Sequence, residues 1–144
     1  MKKILIMMLA LFTLCACGVE KVKNENDINE RLSDAGFVVN DVTTQMNDKR
    51  ISYVAAANNN RYQIEYYVFN EAEDAKEAYK GNVESFQSNE TKGKEKTKKG
   101  YTMYIQQLSD KYNVVIRDKK ILIYASINIE YKKDFKKVLK NLGY

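Results

Sequence analysis

Short polar turns separate the apolar runs of this chain, and their spacing limits the fold more than any other feature of the sequence. Asn58-Asn59-Asn60 lies between residues 51–57, which are rich in β-branched and small side chains, and residues 61–69, in which apolar side chains alternate. Asparagine tolerates positive φ angles, so this segment favours a tight turn. A second turn, at Asp118-Lys119, follows another strand-like run at residues 112–116. Strands joined by such short turns are antiparallel, because a parallel neighbour needs a longer crossover connection.

Three segments have helical periodicity. Asp27 can cap the first helix, and Gly36 can end it in the left-handed conformation. Asn70 and Glu73 have the spacing of a capping box and open the second helix. The third helix closes the chain, and its apolar stripe consists of Tyr131, Phe135, Val138, Leu139 and Leu142. The predicted fold is therefore α+β with the order α-βββ-α-βββ-α, an antiparallel sheet of five or six strands with the helices packed on one face.

The segment from residue 87 to residue 100 has no apolar side chain, and it predicts an exposed, mobile loop. Its lysines are Lys92, Lys94, Lys96, Lys98 and Lys99. Together with the basic face of the last helix, this loop is a candidate contact for anionic lipid head groups or wall polymers, at about 1 kcal/mol for each basic residue near such a surface. The alternative is that both features are merely solvated surface.

Aromatic side chains are predicted on both faces of the sheet. Tyr67 and Phe69 fall on the strand face opposite Tyr62 and Tyr66, and Tyr104 falls on the corresponding face of a later strand. An open aromatic face of this kind can receive a peptide, a sugar or a partner protein. The alternative is that loops and the first helix cover it.

Catalysis is disfavoured by the residue types that the chain lacks. The sequence has no histidine, and its two cysteines both lie within the first 17 residues. The usual metal ligands, thiol nucleophile and imidazole base are therefore missing from the domain. We predict no enzymatic activity, no metal and no cofactor. The net charge of +5, two units of which come from Lys2 and Lys3, does not indicate a nucleic-acid partner.

The N-terminus has the three parts of a secretory leader. Lys2 and Lys3 form a positive start, residues 4–14 form an apolar run, and the small Ala16 precedes a cleavage point. The apolar run is too short for a transmembrane helix, which needs about 20 residues. The segment Leu14-Cys15-Ala16-Cys17-Gly18 resembles the lipobox of bacterial lipoproteins. That resemblance implies cleavage before Cys17 and diacylation of its thiol.

The resemblance also divides the chain. Residues 1–16 would be the signal peptide, residues 17–26 the lipidated cysteine with its tether, and residues 27–144 a single α+β domain. No disulfide and no free thiol would remain. The composition, rich in Lys, Asn, Ile and Tyr, is similar to that of small Gram-positive lipoproteins, which sit on the outer face of the cell membrane.

The predicted function is a non-enzymatic binding or interaction module of the cell envelope. It would be held to the membrane through Cys17 and would contact another envelope protein, anionic lipid or a wall polymer. The alternative is a structural or inhibitory envelope protein, cystatin-like or immunity-type, that blocks another protein.

Overall fold

The computed structural model of the chain describes residues 19–87 and 91–144. In chain order the elements of this part are α1 Glu25–Asp34, β1 Val38–Asp41, β2 Ile51–Asn58, β3 Gln63–Phe69, α2 Ala72–Gln87, β4 Lys94–Lys98, β5 Tyr101–Gln107, β6 Lys111–Asp118, β7 Ile121–Asn128 and α3 Lys132–Asn141. Short 3-10 helices at Thr43–Gln45 and Ile129–Tyr131 complete the described segments.

All the described strands form one antiparallel sheet with the order β1-β2-β3-β7-β6-β5-β4. The first three strands make one meander and the last four make another. The two meanders meet at the centre, where Glu65 of β3 lies opposite Tyr124 of β7. The prediction of an α+β fold with an antiparallel sheet is confirmed.

The predicted strand count and element order were wrong, because the described sheet has seven strands and the order is α-βββ-α-ββββ-α. The additional strand is β4, within the segment predicted to be a mobile loop. All five of its residues are exposed, as expected of an edge strand. An edge strand is held by backbone hydrogen bonds to one neighbour and needs no apolar side chain, so hydrophobic alternation cannot reveal it.

The helices pack on both faces of the sheet, so the prediction that they share one face was also wrong. Ile28 and Leu32 of α1 and Phe135 of α3 belong to the core on one face. Tyr79 and Phe86 of α2 belong to a separate core on the other face. The central strands β6 and β7 carry apolar side chains in both directions, and a strand of this kind must be covered on both sides.

The first helix begins earlier than Asp27, the predicted capping residue. Asn24 is the N-cap, and its Oδ1 accepts a 3.0 Å hydrogen bond from the Asp27 backbone N–H. The Asp27 carboxylate instead accepts from the Lys23 N–H at 3.0 Å and pairs with Arg31 at 2.7 Å. Gly36 does take the left-handed conformation predicted for it, with φ of 86°.

Much of the predicted tether is part of the folded domain. Arg31 Nη1 donates a 2.5 Å hydrogen bond to the Glu20 carbonyl, and Lys21 Nζ lies 2.8 Å from Asp118 Oδ2. Val22 is buried, and its N–H donates to the Leu142 carbonyl at 3.1 Å. The chain is therefore fixed to the domain from Glu20 onward.

Candidate functional site

The helix layer formed by α1 and α3 is narrower than the sheet it covers. Strands spaced about 4.8 Å apart place the two edges of a seven-stranded sheet about 29 Å apart, whereas two packed helices span about 20 Å. On α1, Asn29 donates a 3.1 Å hydrogen bond to the Tyr53 hydroxyl of β2. On α3, Phe135 makes an edge contact with Tyr112 of β6, with the ring centroids 6.4 Å apart. Strand β4, whose residues are all exposed, therefore extends beyond the helix layer, while Tyr101 and Met103 of β5 are buried beside its edge.

A groove runs over this uncovered edge, between β4 and α3, and we name it the lysine groove. Its floor consists of Tyr101, Met103 and Ile105 from β5 and Tyr112 from β6. One part, near Tyr144, has a volume of about 260 Å³, and the part near Lys92 has a volume of about 420 Å³. The floor is apolar, but Tyr101, Met103 and Tyr112 are buried, and Ile105 is its partly exposed residue.

The wall on the β4 side follows from the strand register. Lys94, Lys96 and Lys98 lie opposite Ile105, Met103 and Tyr101, respectively. Cross-strand partners point to the same face, so all three lysines border the groove. The intervening Glu95 points to the α2 face, where its Oε2 accepts a 2.8 Å hydrogen bond from the Tyr79 hydroxyl.

The opposite wall comes from successive turns of α3. Lys132 Nζ and Lys136 Nζ lie 5.3 and 6.0 Å from the centre of the Tyr112 ring, within cation–π range. Lys132 Nζ also donates a 2.5 Å hydrogen bond to Gln107 Oε1. Burial raises the pKa of the Tyr112 hydroxyl, so this ring stays neutral near pH 7.

The groove concentrates positive charge without neutralising it. Among the described residues no Asp or Glu side chain lines either part of it, and none of its lysines takes part in an ion pair. A cleft lined by charges of one sign raises the local concentration of ligands of the opposite sign. The geometry therefore suits an anion with carbon groups that can lie on the apolar floor.

The lysines were correctly predicted to be exposed, but three of them lie on the strand β4 rather than in a mobile loop. Lys92, Lys94, Lys96 and Lys98 line the groove, while Lys99 lies in the β4–β5 turn. The floor residues Tyr101 and Tyr112 and the contributions of Lys132 and Lys136 were not predicted as site residues. The basic face of the last helix was the available signal, but it does not show which of its lysines face β4.

The predicted aromatic face is not open. Phe69 and Tyr104 are buried, with 4% and 2% of their surface exposed, and Tyr67 is half-buried. Phe86 of α2 stacks on Tyr104 with the ring centroids 6.5 Å apart. The helix that covers this face is thus α2 rather than the first helix, because its apolar stripe matches the aromatic side of β3, β5 and β7.

Other site types have no support in the described part of the chain. There, no group of three or more His, Cys, Asp or Glu side chains is placed to hold a metal ion. No described helix has the length and apolar character needed to cross a bilayer. Cys17, the predicted lipidation site, lies outside the described residues.

The chain matches no family model, no curated protein and no solved structure.

Proposed function

We propose that the chain is a lipid-anchored protein on the outer face of the cell membrane, and that its lysine groove binds a linear polyanion of the cell envelope. A wall polymer built of polyol phosphates has the required chemistry. Binding would be non-enzymatic, since cations and an apolar floor neutralise charge and cover carbon but supply no acid–base pair.

The spacing of the lysines on the two walls carries this proposal. Alternate residues of an extended strand are about 6.8 Å apart, which applies to Lys94, Lys96 and Lys98 on β4. Residues four apart on a helix are separated by about 6 Å along the axis, which applies to Lys132 and Lys136. Two facing rows of cations with nearly the same repeat suit a chain whose negative charges recur at a regular distance.

The floor supports a polymer over a free inorganic ion. Ile105 is partly exposed and offers an aliphatic contact to the carbon spacers between phosphates, while Tyr101, Met103 and Tyr112 are buried beneath the groove. Isolated surface lysines would bind phosphate equally well without such a floor. A ligand that uses both features must alternate charged and carbon groups.

The location rests on the lipobox resemblance at Leu14-Cys15-Ala16-Cys17-Gly18. Cys17→Ala should move the protein from the membrane fraction to the medium or leave an uncleaved precursor. Cell fractionation with mass measurement of the N-terminus tests this. A Cys17→Ala protein that is processed normally and stays in the membrane would contradict the lipid anchor.

The groove is tested with the lipidated protein in nanodiscs of zwitterionic phosphatidylcholine. The probe is a poly(glycerol phosphate) chain, with monomeric glycerol phosphate for comparison. We expect the polymer to bind far more tightly than the monomer, and Lys94, Lys96 and Lys136→Gln to weaken binding of the polymer at least tenfold.

The matched control removes the same charge from the outward face of α3, by Lys133, Lys137 and Lys140→Gln. This control should bind within about twofold of the parent. Equal losses in the two triple variants would show that net charge, rather than the groove, attracts the polymer. Polymer and monomer binding with equal affinity would contradict a linear ligand.

One observation favours the alternative role as a blocking protein. β4 is the last strand of the described sheet, so its outer backbone edge is available for pairing with an added strand. Its lysines oppose such pairing with a neutral strand, as charges on edge strands commonly do. In-cell crosslinking of the lipidated protein that recovers one envelope protein in place of polymer would favour the blocking role.

A further inference from the structure

A second set of lysines lies at the end of the sheet where the chain joins the domain. Lys98 ends β4 and Lys99 lies in the turn between β4 and β5, and Lys119 and Lys120 form the turn between β6 and β7. Tyr101 and Asp118 are cross-strand partners, so both turns project from the same end of the sheet. Two strand spacings separate them, which corresponds to about 10 Å.

The N-terminal segment is fixed beside these turns. Lys21 Nζ pairs with Asp118 and lies 5.5 Å from the centre of the Tyr101 ring. Among the described residues, Glu20 is the first that is held to the domain, through its carbonyl. Cys17 is three residues upstream, so its Cα is within about 11 Å of that of Glu20 even in a fully extended chain.

The balance of charge at this end is positive. Lys98, Lys99 and Lys119 make no ion pair among the described residues. Lys120 Nζ donates a 2.5 Å hydrogen bond to the Asn70 carbonyl and remains exposed. Of the nearby acids, Asp118 pairs with Lys21 and Glu20 pairs with Lys23 at 3.0 Å, while Glu25 and Glu71 make no ion pair with any described residue.

We infer that this end, which we name the lysine tip, rests on the anionic head groups of the bilayer and holds the sheet upright on the membrane. The inference rests on the lipid anchor proposed above. An anchor this short keeps the lysine tip within reach of the lipid phosphates, where each lysine contributes a favourable interaction. The opposite end, with the turn at Ser109-Asp110, then points away from the membrane.

The orientation gives the lysine groove a direction. Lys98 lies at the membrane end of β4, and Lys92 precedes the other end. A polymer held along the groove would therefore run outward from the membrane surface. Such an arrangement suits a ligand that extends from the membrane into the wall.

The lipidated protein in vesicles tests this inference. Because the mature chain would have no thiol other than the alkylated Cys17, an introduced cysteine can be labelled alone. One form carries a fluorophore at Lys119→Cys in the lysine tip, and the other carries it at Asp110→Cys. Strand β6, of eight residues, separates the two sites by about 25 Å. Head-group-labelled quencher lipids report the distance of each fluorophore from the membrane.

With vesicles containing phosphatidylglycerol, we expect at least threefold stronger quenching at residue 119 than at residue 110. Adding Lys98, Lys99 and Lys120→Gln to the Lys119→Cys form should remove most of that difference. The matched control, Lys92, Lys94 and Lys111→Gln, removes equal charge from the far part of the sheet and should preserve it.

Sedimentation of the same samples distinguishes a failure of the proposed orientation from a failure of the proposed lipid anchor. A protein that pellets with vesicles but is quenched equally at both sites would overturn the orientation and leave the anchor intact. A protein that does not pellet would overturn the anchor and, with it, this inference.

Discussion

A buried amide chain joins α2, the segment that precedes β4 and the sheet, and it offers a quantitative test of what holds the lysine groove in place. Gln106 is completely buried, and its Nε2 donates to the carbonyls of Phe86 at 2.8 Å and Thr91 at 2.5 Å. Its Oε1 accepts a 2.9 Å hydrogen bond from Asn113 Nδ2. Asn113 Oδ1 in turn accepts from the Ser126 hydroxyl at 2.7 Å.

Gln106→Leu keeps a similar volume but removes three hydrogen bonds. Each contributes about 1 kcal/mol net, and the Asn113 amide left without its acceptor adds a further penalty of about 1 kcal/mol or more. We expect the free energy of unfolding to fall by about 4 kcal/mol. For a domain of this size that corresponds to a decrease in Tm of roughly 15 °C.

Urea unfolding followed by circular dichroism measures this change, which should appear as a lower midpoint with an unchanged slope. Adding Asn113→Leu should restore at least 1 kcal/mol, because removing both partners eliminates the unpaired buried amide. Gln107→Leu, at the exposed neighbouring position, should change stability by less than about 0.5 kcal/mol.

Amide exchange locates the effect. Loss of the Thr91 contact should accelerate exchange along β4 more than along β6. A Gln106→Leu protein that loses less than about 1 kcal/mol would refute the view that this amide chain stabilises the fold. A double variant less stable than Gln106→Leu would refute the argument from the unpaired amide.

Three further predictions concern the chain ends, pH and salt. Gly143→Ala should destabilise the domain severalfold more than Gly36→Ala in thermal unfolding. Both glycines have positive φ, but of the two only Gly143 has the backbone of Lys21 where the added Cβ would lie. Similar losses of stability in the two variants would contradict that contact. Burial raises the pKa of buried tyrosines such as Tyr66 and Tyr112, so their stabilisation is complete below about pH 10 and is lost as the pH rises through the folded-state pKa values. Tyrosinate absorbance should therefore appear together with unfolding, and its appearance in the folded protein near pH 10 would contradict this. Six lysines line the lysine groove, so a plot of the logarithm of polymer affinity against the logarithm of salt concentration should have a slope of about −4. The Lys94, Lys96 and Lys136→Gln variant should have a slope of about −2. Equal slopes for the parent and this variant would show that these lysines do not contact the polymer.

Features that depend on a few neighbouring residues could be predicted from the sequence. The turn after β2 contains Asn60 with φ of 66°, and the turn after β6 contains Lys119 with φ of 54°. Gly36 ends α1 as expected from its place after the apolar stripe. Short turns restrict the strands they join to antiparallel pairing, so the class of sheet followed directly from them.

The strand β4 and the covered aromatic face could not be predicted in the same way. The alternation Lys94-Glu95-Lys96-Thr97-Lys98 has the period of a strand but carries no apolar residue, and its pairing with β5 supplies the order that hydrophobic burial supplies elsewhere. The stripe of α2 predicts that one of its sides is buried without showing against which face of the sheet. Tyr67 and Phe69 precede α2 closely in the chain and Tyr104 follows it, but their burial depends on which face of the sheet α2 packs against, and neighbouring residues do not determine that.

The chemistry of the proposed sites was thus present in the sequence, whereas their assembly required the tertiary structure. A lysine-rich segment, a basic helix and a segment that resembles a lipobox at residues 14–18 can be recognised one at a time, because each is defined by composition over a short range. Only the register of β4, the width of two helices on a seven-stranded sheet, and the attachment of Lys21 to Asp118 bring the lysines into one groove and one tip. The reason is physical: local sequence sets backbone preference and charge, while the relative placement of surfaces depends on which apolar faces, far apart in the chain, exclude water together.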